Sequence, residues 1–307
     1  MLLDGQKILI TGTYGFLGRF LANRFSKLGA VIYGIGHGKL TSKELDDNGI
    51  TNYVCDDLKI STLKDICDKP NKIIHCASSS SVPYSVLYPK EDFERTTNST
   101  LAVLEFMRLY AKEAKLVIPS SAAVYGQKGK IPISVNAKIN PVSPYGNSKR
   151  IAEMLSKFYG KHFKLKISIV RLFSLYGPGL KKQLLWDACQ KAILGNHLYS
   201  GTGLETRDWI YINDAASLIL LALENASIST PIVNGGTGKS VSIKELLIFL
   251  YKKLGIDVTP KFSEIVREGD PLYFEADIKE SLSLGWKPEI FWEDGVLEYV
   301  KWYKSIY

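Results

Sequence analysis

Lys7-Ile8-Leu9-Ile10-Thr11 is an apolar run of strand length. It breaks at once into Gly12-Thr13-Tyr14-Gly15-Phe16-Leu17-Gly18, ahead of an amphipathic stretch over Phe16–Leu28. A strand that turns directly into a helix needs glycine at defined places. Gly12 takes a turn at positive φ, Gly15 lets a ligand approach the backbone, and Gly18 lets the helix pack on the strand. The helix start then offers unpaired N–H groups and a partial positive charge to a phosphate. Three glycines at this spacing are weak evidence alone. Placed between an apolar strand and an amphipathic helix, they point to a dinucleotide site, with a purely structural turn as the alternative.

The same alternation continues. Lys7–Thr11, Ala30–Ile35, Thr51–Cys55, Lys72–Cys76, Lys115–Pro119 and Lys166–Leu172 read as strands, and Phe16–Leu28, Ser61–Cys67, Pro89–Ala114 and Tyr145–Phe163 read as helices. Near-continuous apolar strands alternating with helices imply an α/β fold, a doubly wound, Rossmann-like parallel sheet covered on both faces. After about Arg171, Gly and Pro become frequent, with helices expected at Lys182–Leu194, Asn213–Glu224, Ser242–Leu254 and Trp292–Lys304. This predicts a dinucleotide-binding domain over 1–171, with segments near 205–235 returning to it. Residues 172–307 then form a smaller, interleaved substrate lobe.

Composition narrows the function. The chain has 307 residues, of which 46% are hydrophobic, enough for a sizeable core. No apolar run reaches the ~18 residues that a membrane span requires. Met1–Gln6 leads straight into the first strand and does not read as a signal peptide, so a cytoplasmic enzyme is expected. Cys55, Cys67, Cys76 and Cys189 show no paired spacing and read as reduced thiols, and His37, His75, His162 and His197 form no metal-ligand cluster. The net charge of +8 comes from scattered lysines, which argues for solvated faces or a phosphate-bearing small molecule rather than nucleic acid.

The end of the second strand bears on cofactor choice. An acid there would grip the 2′-hydroxyl of NAD. The sequence has His37-Gly38-Lys39 instead, which leans toward the 2′-phosphate of NADP unless both are ordinary loop residues. Asp57, with Asp56 as its rival, sits where the adenine amine would be met.

Ser143-Pro144-Tyr145-Gly146-Asn147-Ser148-Lys149 opens a helix and places Tyr145 and Lys149 one turn apart on one face. A tyrosine has a pKa of about 10 and is a poor base at neutral pH. An ammonium nearby and a cationic nicotinamide would lower it, so that the phenolate takes a proton from a sugar hydroxyl as hydride leaves. Pro119-Ser120-Ser121-Ala122-Ala123-Val124-Tyr125-Gly126 follows a strand and puts Ser121 at the carboxyl edge of the sheet, where open α/β folds bind ligands.

Together the glycine loop, His75-Cys76-Ala77, Asn98, the Ser121 segment, the Tyr145 segment, Arg171-Leu-Phe-Ser-Leu-Tyr-Gly-Pro-Gly179 and Arg207-Asp-Trp-Ile-Tyr-Ile-Asn-Asp214 occur in order. They resemble the extended short-chain dehydrogenase/reductase family, in particular its nucleotide-sugar epimerases, dehydratases and ketoreductases. The resemblance implies that Gly12, Thr13, Tyr14, Gly15, Phe16, Leu17, Gly18, His37, Lys39, Asp57, Leu58, Cys76, Ala77, Ser78, Asn98, Tyr145 and Lys149 surround NAD or NADP. It makes Tyr145 the acid/base, Lys149 its partner and Ser121 the hydroxyl anchor. It assigns Ser80, Ser121, Ala122, Tyr145, Ser174, Arg207 and Arg267 to a nucleotide-diphosphate sugar, the two arginines gripping the diphosphate. It also implies a homodimer through 89–114 and 145–163.

Two departures carry weight. Ser174 stands where the family often has Asn. Ala122-Ala123 stands where 4,6-dehydratases carry an Asp-Glu pair, so the groups for eliminating water are missing. Two reactions remain: a 4-epimerase, in which hydride leaves C4 and returns on the other face, and a reductase of 4-keto-6-deoxy sugars using NADPH. A silent dinucleotide-binding module is a third reading, opposed by the presence of Tyr145, Lys149 and Ser121 together.

Overall fold

The computed structural model describes residues 3–79, 81–129, 132–265 and 271–306. The chain runs through β1 (Lys7–Thr11), α1 (Phe16–Ser26), β2 (Val31–Gly36), α2 (Ser42–Asp47), β3 (Ile50–Cys55), α3 (Ile60–Ile66) and β4 (Lys72–His75). Next come α4 (Val82–Leu87), α5 (Pro89–Phe93), a π-helical turn Glu94–Asn98, α6 (Ser99–Tyr110), β5 (Lys115–Ser121), α7 (Pro144–Phe163) and β6 (Lys166–Leu172). The remainder comprises β7 (Ser174–Tyr176), α8 (Gln183–Ile193), β8 (Leu198–Tyr199), β9 (Thr206–Tyr211), α9 (Ile212–Glu224), β10 (Ile232–Gly235), β11 (Ser240–Ser242), α10 (Ile243–Leu254), β12 (Lys261–Phe262), α11 (Lys279–Ser283) and α12 (Trp292–Ser305).

Seven strands form one sheet in the order β10-β6-β5-β4-β1-β2-β3. β1 pairs in parallel with β2 and β4, and β4 with β5. The fold is therefore the doubly wound, Rossmann-like one that the alternation predicts. The order reverses between β1 and β4, so the carboxyl ends of these strands flank the crevice in which such sheets bind ligands. One face of the sheet contributes Leu9, Ile35, Ile73, Leu116, Ile118 and Ile167 to a core closed by Leu63 of α3 and by Val103, Phe106 and Met107 of α6. Full burial of each such side chain contributes about 1.5–3 kcal/mol.

Contacts divide the chain into two compact units. The first comprises 1–124, 139–171 and 216–233, and the second 125–138, 172–215 and 234–307. The returning segment is thus shorter than the 205–235 expected from sequence, and 125–138 leaves the first unit although it precedes Arg171. In the second unit β11-β9-β7 form a small sheet and β12-β8 another. Asp208 organises this unit: its carboxylate accepts from the backbone N–H groups of Thr237, Gly238 and Ala276.

The long helix expected over Pro89–Ala114 is interrupted. The π-turn at Glu94–Asn98 divides it, burying Thr96 and Thr97 and leaving Asn98 exposed. Thr96 Oγ1 accepts from the backbone N–H of Ser79 at 3.2 Å, tying the turn to the segment after β4. A π-turn admits an extra residue between two helices and recurs at functional sites.

Candidate active site

The glycine turn is demanded partly by the fold and partly by something outside it. Gly12 has φ +71°, and a Cβ there would lie 2.6 Å from the Ala77 nitrogen. A Cβ at Gly18 would lie 2.4 Å from the Gly12 carbonyl oxygen. Both contacts are with backbone and cannot yield cheaply. Gly15 differs: an added Cβ meets only the Gly12 oxygen, at 3.2 Å. A side chain at Gly15 would ask that oxygen to give by only a few tenths of an ångström, and the residue leaves the backbone open to a ligand. No side chain caps α1, whose N-terminal N–H groups begin at Gly15. These features fit a dinucleotide pyrophosphate.

Around the turn, Thr13 is buried and its hydroxyl donates to the Ile10 carbonyl at 2.5 Å. Tyr14 is exposed and lies so close to Gly38 that a Cβ there would fall 2.3 Å from its ring. Phe16 and Leu17 are half-buried in the first turn of α1. Leu58 packs against the core, and Cys76, Ala77 and Ser78 follow β4. Ala77 donates its N–H to Thr11 Oγ1 at 3.2 Å.

At the end of β2 the lysine is exposed and the histidine is paired. His37 Nε2 lies 3.1 Å from Asp57 Oδ1. The sequence presents these residues separately, one as a possible 2′-phosphate contact and the other as an adenine contact. The structure joins them. A carboxylate this close to His37 opposes a second anion at the same place.

The three residues expected to be catalytic lie at the end of β5 and in the first turns of α7. Ser121 is the last residue of β5. α7 begins where Ser143 Oγ caps the Gly146 N–H at 3.1 Å, with Pro144 at its first position, a start that fixes where Tyr145 and Lys149 emerge. A Cβ at Gly146 would lie 2.7 Å from the Ala123 carbonyl oxygen, so the close approach of α7 to the Ser121 segment needs a glycine there. Tyr145 is half-buried, and Ser121 lies close enough to its phenol to favour the ionised form. Lys149 is buried and its Nζ donates to the Pro119 carbonyl at 3.0 Å.

Burial raises the Tyr145 phenol above its ordinary value, Ser121 draws it back, and the Asp92 carboxyl raises it further. Desolvation brings Lys149 down to about 8, opposed by Cys76, Glu153 and Asp92. Burial and Lys149 hold His75 down at about 3, so it is a neutral ring between Thr11 Oγ1 at 2.7 Å and Thr100 Oγ1 at 3.1 Å.

Two acids near the trio escape a reading based on motifs. Glu153, one turn beyond Lys149, accepts from Ser120 Oγ at 2.6 Å and pairs with Arg171 in the core. Its spacing from Lys149 was a usable signal. Asp92, fully buried, accepts from Ser148 Oγ at 2.7 Å. Nothing in the pattern around Asp92 marks it, because the π-turn that follows breaks the helical period.

Of the expected substrate residues, Ala122 is buried and begins a short turn after β5. Ser174 starts β7, paired with Trp209 of β9. Arg207 lies on β9 with Nη1 donating to the carbonyls of Thr206 at 2.9 Å and Pro271 at 2.7 Å. Ser80 and Arg267 lie outside the described residues. Among the described residues no group of three or more His, Cys, Asp or Glu is placed to hold a metal, and no helix is long and apolar enough to cross a membrane.

Comparison with known proteins agrees with this geometry. The model of the NAD dependent epimerase/dehydratase family matches residues 8–236. A Methanocaldococcus jannaschii protein provisionally named as a UDP-glucose 4-epimerase is 31% identical over 308 residues, covering 97% of this chain and 98% of its own. The crystal structure of UDP-glucuronic acid 4-epimerase from Bacillus cereus, in complex with UDP-glucuronic acid and NAD, superposes with a TM-score of 0.88 at 26% identity, covering 98% of this chain and 100% of that one. The UDP-glucose 4-epimerase of Thermotoga maritima, with UDP-glucose, gives 0.89 at 24% identity over 98% and 99% of the chains, a likeness of fold.

Proposed function

We propose that this chain, which belongs to the NAD dependent epimerase/dehydratase family, is an NAD-dependent 4-epimerase of UDP-linked sugars. The observation that carries this reading is the placement of Tyr145 beside Ser121, the last residue of β5 at the carboxyl edge of the sheet, with Lys149 one turn along the same helix. Relatives and solved structures named for UDP-sugar 4-epimerases support the substrate class.

In this reading Gly12–Gly18 and the start of α1 hold the pyrophosphate, and Cys76, Ala77 and Ser78 line the neighbouring strand end. The dinucleotide supplies hydride exchange at C4 of the sugar. Ser121 Oγ orients the C4 oxygen. Tyr145 Oη takes the proton from the C4 hydroxyl and returns it once the 4-keto sugar presents its other face. The Lys149 ammonium stabilises the phenolate while it is charged. Ser174 and Arg207, with Arg267, are the candidates for the nucleotide-sugar side, a guanidinium fork suiting a diphosphate. NAD is favoured over NADP because the solved 4-epimerase that this chain resembles at 26% identity is in complex with NAD. With NADPH disfavoured, the reductase reading loses its main support. Elimination of water is not supported, because residues 122 and 123 are alanines.

A homodimer is part of the proposal. Phe93 of α5, Leu101 of α6 and Met154 and Phe158 of α7 are exposed apolar residues on the helices through which the resemblance implies pairing. Light scattering on the protein and on a Met154→Glu/Phe158→Glu variant tests this, with a dimer expected for the former and a monomer for the latter.

The enzymatic reading is tested by incubating the protein with UDP-glucose, UDP-galactose and UDP-glucuronate, each with NAD, and following C4 configuration by NMR. Interconversion of C4 epimers without net consumption of NAD is expected. Inertness with all three would overturn the reading.

A further inference from the structure

The end of β2 carries two glycines, Gly36 and Gly38, on either side of His37. Neither has a positive φ, so the backbone does not call for glycine at either place. Space does. A Cβ at Gly38 would overlap the Tyr14 ring. A Cβ at Gly36 would lie 3.1 Å from Tyr53 Oη and 3.2 Å from Tyr14 Cβ. Much of the room that side chains would use at this strand end is taken by an aromatic residue from the glycine turn.

The Tyr14 ring is fixed there. The Arg19 guanidinium lies over it, 5.2 Å from the ring centroid, and Nη2 donates to the Tyr14 carbonyl at 3.3 Å. Arg19 Nη1 reaches Glu44 Oε1 at 3.4 Å, and Glu44 closes the capping box with Thr41 that starts α2. Tyr53 Oη of β3 donates to the Gly38 carbonyl at 2.5 Å, which pins the loop that the ring lies against. With 47% of Tyr14 exposed, the ring still presents surface to a ligand.

In doubly wound folds the end of the second strand meets the adenosine ribose, where an acid accepts from the 2′-hydroxyl. β2 ends in Gly36 and supplies no carboxylate of its own. Charge does not exclude a 2′-phosphate either. Arg19 stands over Tyr14, and Lys39 is exposed directly after Gly38. Both are groups that suit a phosphate. What opposes a phosphate here is bulk. A hydroxyl is small enough to lie beside a ring, whereas a phosphate adds three oxygens and two charges, and the face of an aromatic ring is negative. A site discriminates by a clash as well as by an attraction.

We propose that Tyr14 selects NAD against NADP in this chain: its ring, held between Arg19 and Gly38, fills the place that a 2′-phosphate needs and covers the cation that would otherwise meet it. The proposal rests on the reading above that the glycine turn holds a dinucleotide, and deepens it by naming the residue that sets which one. Tyr14 does by bulk what an acid at the end of β2 does by charge.

Tyr14→Ala removes the ring and Tyr14→Phe keeps it. Calorimetric titration of wild type and both variants with NAD and with NADP gives the ratio of the two dissociation constants. Wild type and Tyr14→Phe are expected to bind NAD more tightly than NADP. In Tyr14→Ala the ratio is expected to move toward NADP by on the order of ten-fold, the size of a discrimination carried by a few side-chain atoms. NADP affinity itself should rise, because lost packing alone would weaken both dinucleotides. If the alanine variant does not fold, Tyr14→Ser gives the same measurement. NADP bound by wild type as tightly as NAD, or a ratio that removal of the ring leaves unmoved, would overturn this proposal and leave the functional reading standing. Wild-type protein that binds neither dinucleotide would overturn both.

Discussion

Glu153 grips Arg171 with both carboxylate oxygens: Nε donates to Oε1 at 3.0 Å and Nη2 to Oε2 at 2.7 Å, with both residues buried. The pair joins α7 to β6, and Ser120 Oγ adds β5 through Oε1. One carboxylate thus ties the two elements that carry the candidate active site, β5 and α7, to β6.

Removing one partner leaves the other charged and unpaired in the core. Glu153→Ala is expected to destabilise the protein by about 3–5 kcal/mol. Urea unfolding followed by circular dichroism measures it. A loss no greater than that of an exposed ion pair, about 1 kcal/mol or less, would show that the network does not hold the elements together.

The glycines of the turn separate fold from ligand. Gly18→Ala drives a Cβ against the Gly12 carbonyl oxygen, backbone on backbone, and is expected to lower the melting temperature. Gly15→Ala asks the Gly12 oxygen to give by only a few tenths of an ångström and is expected to melt closer to wild type than Gly18→Ala, yet bind NAD at least ten-fold more weakly, about 1.4 kcal/mol. Thermal melts and NAD titration by calorimetry separate the two effects. Equal NAD affinity in Gly15→Ala and wild type would contradict the placement of the pyrophosphate.

What the sequence disclosed followed periodicity and turn chemistry. Strands β1, β4, β5 and β6 are mostly apolar, buried runs, and buried parallel strands have no other pattern to show. Ser143-Pro144 marked the start of α7, so Tyr145 and Lys149 were visible as a pair. Other features left no local trace. β8 and β12 have two residues each, too few for a period. The π-turn rests on the contact of Thr96 with Ser79, far along the chain. The partnership of His37 with Asp57 depends on β2 and β3 lying side by side, so each residue alone suggested a different role. The burial that raises the Tyr145 phenol is likewise invisible in sequence spacing.

His75 should make the fold acid-sensitive. Its folded value of about 3 lies below the ordinary 6.5. Between these values the unfolded chain binds a proton that the folded chain refuses, so stability falls as pH drops through that window. The slope contributed is at most about 1.4 kcal/mol per pH unit. Chemical unfolding of the wild type and of His75→Asn at pH values across the window should show a flatter dependence in the variant. Parallel curves would remove His75 from the acid response.

Lys149 carries the opposite trade between stability and activity. Its folded value of about 8 lies below the ordinary 10.5. Below the folded value it is charged in both states, and the full penalty for burying the ammonium is present. Between the two values the unfolded chain holds a proton that the folded one has released, so the penalty shrinks as pH rises and is gone above the unfolded value. Lys149→Met, which removes that charge, is expected to melt no lower than wild type at neutral pH. The gap between the two proteins should close as pH rises through that range. Turnover should respond in the other direction, with kcat/KM falling about 10²–10⁴-fold in the variant and the wild-type profile declining above a pH near the folded value. A gap that stays constant with pH would mean that the folded and unfolded chains bind the Lys149 proton equally, and the lowering of its proton affinity by burial would have to be abandoned.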